Sequence, residues 1–141
     1  MPHPNVAIIQ KMWQCFATND NAGLRELFSP DVSYRMPGHH PIAGTKQGIP
    51  ELFAFFNELT KSNIKVDVLQ IGALGDNMVV EVHHGNGTTK GVTLDVTNCN
   101  VYQIENGKIK KVDCYNGDQH AIDNFFNAVY TLRPIPDRLA V

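Results

Sequence analysis

Three groups of side chains in this sequence can move or hold a proton near neutral pH. His39 and His40 follow Pro37-Gly38. An imidazole titrates close to neutrality, so this pair supplies the first general acid/base candidates. Asn98 and Asn100 share a face with the apolar ladder Val92, Leu94 and Val96. An amide is a permanent donor and can orient or polarise a carbonyl, which makes Asn100 the candidate oxyanion partner. His83 and His84 are adjacent in a strand-like run. They point to opposite faces and cannot chelate one ion together, so one is placed to approach a pocket and the other to face solvent or a second copy.

Each candidate also has a bland reading. His39 and His40 can be solvated loop histidines, and the asparagines can bond to each other or to hairpin backbone. Cys114 lacks a cationic neighbour at fixed spacing and reads as a buried thiol beside the pocket rather than a nucleophile. Tyr34 shares a strand face with Met36 and either donates a hydrogen bond or packs. Met12, Trp13, Phe16, Phe53 and Phe56 are apolar residues of two helices, expected in the core or on a pocket wall. Asp118 reads as a helix cap and Asp123 as a solvated or paired carboxylate. No CxxC and no HxxxH pair occurs, so neither a metal nor an organic cofactor is expected.

The elements that must position these residues follow from periodicity. Val6, Ile9, Trp13 and Phe16 have helical spacing after an N-cap-type Asn5, and a short second helix is expected over 22–28. Val32, Tyr34 and Met36 alternate as a strand that Pro37-Gly38 closes. A third helix over about 47–61 carries Ile49, Leu52, Phe53, Phe56 and Leu59 inward. Strands are then expected over 64–74, 78–85, 92–104 and 108–115, with Asn106-Gly107 the strongest hairpin signal. Asp118 opens a last helix with Ala121, Ile122, Phe125, Phe126 and Val129 on one stripe, followed by an extended tail over 131–141. Helices first and long strands afterwards give an α+β fold, a curved antiparallel sheet with helices on one face. Apolar residues on both sheet faces point to a homodimer through the convex face.

Composition narrows the class. A chain of 141 residues, 43% hydrophobic, fits one domain over 1–141 with a real core. A net charge of -2 with scattered lysines and arginines disfavours nucleic acid. No segment approaches a bilayer span, the start MPHPNVAII is not a signal peptide, and three distant cysteines suit a reducing compartment. The expectation is a cytoplasmic protein that does not bind membranes.

The element order, with FSPDVSYRMPG, PIAGTKQGIPELFAFF and YNGDQHAIDNFF, resembles the SnoaL-like, ketosteroid-isomerase-related proteins of the nuclear-transport-factor-2-like (NTF2-like, cystatin-like) superfamily. The resemblance covers the chain to about Val129. It implies a cone in which the sheet wraps an apolar pocket under the first and third helices. Isomerase relatives use a carboxylate base, a tyrosine and a protonated aspartate. By position these roles fall on Met36, about Met12 and about Asn100. A thioether accepts no proton, so the resemblance argues against standard ketosteroid isomerisation. Other relatives carry an acid on the last strand, where Cys114 faces the pocket unless a one-residue bulge exchanges it with Asp113. Two functions stay open. One is a cofactor-independent isomerase, cyclase or lyase acting on a small hydrophobic carbonyl compound. The other is a non-catalytic domain that binds such a molecule or serves dimerisation or interaction.

Overall fold

The computed structural model describes residues 3–130, so the tail expected over 131–141 lies outside the described residues. Helix α1 (Pro4–Thr18) is capped by His3, whose Nδ1 accepts from the Asn5 amide at 3.1 Å. Asn5, expected as the cap, already lies inside the helix, because Pro4 has no N–H to lose and opens the first turn. Val6, Ile9, Met12 and Cys15 form the buried stripe, while Trp13 and Phe16 flank it half-buried. Helix α2 (Asn21–Glu26) is capped by Asp20, which accepts from the Gly23 amide at 2.9 Å. Phe28, expected at the end of that helix, begins β1 (Phe28–Met36) instead.

A short strand not anticipated from the sequence, β2 (Gly44–Gln47), pairs antiparallel with β1 and leads into α3 (Gly48–Thr60). Helix α3 buries Leu52, Phe55 and Phe56. Phe55 therefore takes the inward place expected for Phe53, whose ring is half-buried with the Arg25 guanidinium 4.6 Å from its centroid. The meander β3 (Lys65–Leu74), β4 (Met78–Thr89), β5 (Val92–Glu105) and β6 (Lys108–Asn116) follows, and α4 (Gln119–Val129) closes the described chain.

The six strands form one sheet in the order β2-β1-β6-β5-β4-β3. All neighbours are antiparallel except β1 and β6, which run parallel because no hairpin joins them. The GNGTTKG stretch does not interrupt β4. The strand continues to Thr89, and the turn is Lys90-Gly91 with φ of 48° and 80°, the left-handed pair of a tight hairpin. The Asn106-Gly107 turn between β5 and β6 has the same left-handed character. The core lies between the sheet's concave face and the helices. The result is an α+β fold of the curved-sheet, helix-covered kind.

Candidate functional site

Strand pairing decides which side chains meet. The two-residue turn at Lys90-Gly91 sets Glu81 opposite Asn100, His83 opposite Asn98 and Val79 opposite Tyr102. Directly opposed residues share a sheet face. Because Leu94 and Val96 are buried on the concave side, Asn98, Asn100 and Tyr102 follow them inward, and Glu81 and His83 are carried in with them. The more apolar alternation of β4, through Val80 and Val82, faces the convex side. Strand β6 adds Cys114 opposite Asn100 and Asn116 opposite Asn98. The question of Asp113 against Cys114 is settled by a register shift at the hairpin end of β6, between the Gln103 and Ile104 pairings. The shift brings Val112 and Cys114 onto the buried face of Ile109, and Asp113 lies half-buried on the other.

These residues front a cavity of about 890 Å³ between the sheet and α1, α3 and α4. Its inner wall is built by Phe55 and Phe56 of α3, Ile122 and Phe126 of α4, and Leu94. Of the residues singled out in the sequence, Met12, Trp13, Phe16, Tyr34, Met36, Phe56, Asn98, Asn100 and Cys114 line it. Phe53 does not, and neither do His39 and His40.

The two loop histidines are turned toward α4. The His39 amide donates to Asp123 at 3.0 Å, and Asn127 donates to the His39 carbonyl at 3.0 Å. The His40 ring stacks 4.8 Å from Phe126 with both nitrogens buried and unpartnered. Gly38 permits this close approach: its φ is +126°, and a Cβ there would meet Asp123 Oδ1 at 2.4 Å.

At the centre is Glu81, 0% exposed. Trp13 Nε1 and the Tyr102 hydroxyl each donate to its Oε1 at 2.9 Å, and His83 Nδ1 lies 2.5 Å from Oε2. Three donors on one carboxylate give it what water would otherwise supply. With the Nδ1 proton directed at Glu81, His83 Nε2 keeps its lone pair, and Asn98 Nδ2 approaches that nitrogen at 3.4 Å. His83, 8% exposed, lines the cavity, whereas Glu81 stands behind it. Asn100 Nδ2 donates to the Tyr102 hydroxyl at 3.2 Å, and the Gly117 amide fixes Asn98 Oδ1 at 3.2 Å.

The other ionisable groups of the site hold their protons. Burial, reinforced by the Glu81 charge, pushes the Tyr102 hydroxyl well above its usual range. Burial does the same for Tyr34, with the Cys114 thiol beside it a further cause. Cys114 is itself pushed up to about 12, chiefly by burial. A thiol held protonated in this way is no nucleophile at neutral pH. Among the described residues no three His, Cys, Asp or Glu side chains gather as a metal-binding group.

Residues 9–112 match the SnoaL-like domain family. The chain belongs to that family. An uncharacterized protein of Mycobacterium tuberculosis is 23% identical over 122 residues, covering 84% of this chain and 93% of its own length. Among solved structures, Bal32a from a soil-derived mobile gene cassette superposes with a TM-score of 0.82 at 27% identity, over 88% of this chain and 97% of that one. A nuclear-transport-factor-2-like protein of Burkholderia xenovorans LB400 gives 0.80 at 21% identity, over 90% and 98%. A protein of Jannaschia sp. CCS1, described provisionally as a SnoaL-like polyketide cyclase, gives 0.70 at 16% identity, over 89% and 92%.

Within this SnoaL-like fold, sequence reasoning missed Glu81 and Tyr102. Both could have been found by counting from the Lys90-Gly91 turn. A strand ended at Gly85 hides that register, and the alternation Leu94, Val96, Asn98, Asn100 was not carried on to position 102. No helix among the described residues is long and apolar enough to cross a membrane.

Proposed function

We propose that this SnoaL-like protein is a cofactor-independent enzyme that moves a proton on a small hydrophobic carbonyl compound, in the manner of an isomerase, cyclase or lyase. The observation that carries the reading is the Glu81–His83 pair, an imidazole at the cavity wall whose far nitrogen meets a fully buried carboxylate at 2.5 Å. In this reading His83 Nε2 takes the proton next to the substrate carbonyl and returns it to another atom. Glu81 holds the ring's tautomer and balances the imidazolium while it exists. The developing enolate oxygen is held by neutral donors, Asn100 with Tyr34, which cost the site no charge to bury. Met36 stands where isomerase relatives carry their base, so the proton is handled from the opposite side of the sheet, by β4.

Exchange of deuterium from solvent into enolisable aromatic ketones tests the reading. Catalysed exchange that disappears in His83→Ala supports it, and exchange that persists undiminished in that variant removes His83 from the role. The near absence of charge along the cavity favours one second reading, a protein that stores or delivers a hydrophobic metabolite. Mass spectrometry of freshly purified protein separates the two: a bound compound released unchanged, with no exchange on any ketone, supports carriage.

The functional unit we propose is a homodimer through the convex face. Val80 and Val82 lie half-buried there, next to the exposed Leu74, at a shallow apolar hollow. A two-fold partner offers the same surface in return.

A further inference from the structure

The mouth of the cavity differs in chemistry from its depth. It is framed by Asn19 and Asn21 at the α1–α2 junction, Asn57 and Thr60 on α3, and Asn63 and Lys65 on the way into β3. Among the described residues, the side chains of the four asparagines make no hydrogen bond to the protein, in contrast to Asn98, Asn100 and Asn116 inside. Two of the four have a backbone reason to be asparagine, since Asn19 and Asn63 both sit at φ 55°. Asn21 and Asn57 have none. Asn57 lies inside α3, where its short amide competes with the helix backbone and Ala or Gln would serve better.

Charge is nearly absent from the whole surface. Lys65 is the one lining residue with a fixed charge, and no Asp or Glu lines the cavity, because Glu81 is screened behind Trp13, His83 and Tyr102. A carboxylate or a phosphorylated carrier entering here would be stripped of water against one exposed lysine. An amine would find no counter-ion at all. Free amide groups, each both donor and acceptor, match hydroxyls and other amides instead.

The geometry points to a substrate with two uncharged ends: an apolar ketone that reaches His83, and a hydroxyl-bearing or amide head held by the asparagines of the mouth. The inference rests on the functional reading of the cavity and adds the class of molecule that fits. Three probes that share one enolisable methyl ketone test it: acetylnaphthoic acid, its methyl ester and its glyceryl ester. Each is titrated calorimetrically into the full-length protein, and exchange at the acetyl group is followed by NMR. The glyceryl ester is expected to bind about tenfold more tightly than the methyl ester, the worth of one or two net hydrogen bonds. The acid is expected to bind at least about 30-fold more weakly than the methyl ester, since no charge balances it. In the double variant Asn21→Ala, Asn57→Ala the gap between the two esters closes.

An acid that binds as well as the methyl ester overturns the inference. So does equal affinity of the two esters in the native protein, a gap that survives in the double variant, or failure of all three probes to bind. The acetyl signal reports separately on His83. Esters that bind in the expected order without exchange remove the catalytic reading and leave the preference of the mouth standing.

Discussion

Glu81 is the residue on which the site turns, because one side chain ties together a helix, two strands and the histidine. Its replacement by Gln keeps an oxygen for Trp13 and Tyr102 but can set an amide N–H against His83 Nδ1. The imidazole then flips its proton to Nε2, the nitrogen that has to accept. Glu81→Gln is expected to remain folded and to lose about 10²- to 10⁴-fold in exchange activity, with circular dichroism and exchange rate measured on the same sample. Cys114 gives a second test at this scale. Its thiol is raised from 9.0 to about 12 in the folded protein. Between those two values the unfolded chain has released a proton that the folded chain still binds, so this residue's contribution to stability falls as pH rises from about 9 to about 12. Denaturant titrations across that window are expected to show a shallower alkaline decline in Cys114→Ala. An equally steep decline would place the effect on another group.

At the scale of elements, the loop after β1 and helix α4 act as one piece. Asp123 accepts from the His39 amide and from Gln119 Nε2, at 3.0 and 2.9 Å, and Asn127 reaches the His39 carbonyl. Inside this clamp His40 has no partner for either ring nitrogen. Burial is the main cause that lowers its pKa from 6.5; the nearby Lys46 and His39 act the same way, and Asp123 opposes them. The sign follows directly. As pH falls below about 6.5 the unfolded chain takes up the proton before the folded one does, so stability declines with acidification. His40→Leu is expected to flatten thermal stability between pH 7 and pH 5, and melting curves at those two values check it. Phe126 lies between this ring and the cavity, so His40 acts on the pocket only through the wall that α4 provides.

For the whole molecule, the convex face is the unsatisfied feature. Leu69 and Leu74 are each 59% exposed and Tyr115 is 53% exposed, along a sheet whose inner face is fully covered. Light scattering at micromolar concentration is expected to give the mass of a dimer, and Val80→Lys is expected to shift it to the monomer. A monomer for the native protein would leave these side chains to another partner.

Much of this architecture was legible in the residues. The helical stripes, the alternation of β5 and the Asn106-Gly107 hairpin each follow from periods of 3.6 and 2 and from turn chemistry, which act over a few residues. The pocket wall was legible for the same reason, down to Trp13, Tyr34, Asn98 and Asn100. The centre of the site was not. Glu81 sits in a run, Met78 to His84, whose apolar members read as the side that belongs inside. Only the pairing of β4 with β5 turns that strand over and buries the carboxylate and His83 instead. Likewise, His39 and His40 have the chemistry of an acid/base pair, but their direction was decided by Asp123 and Asn127, more than eighty residues away in the chain. Local sequence determined which elements form. Which face of each element looks into the cavity was fixed by contacts between residues distant in the chain, and that choice put the proton chemistry on β4.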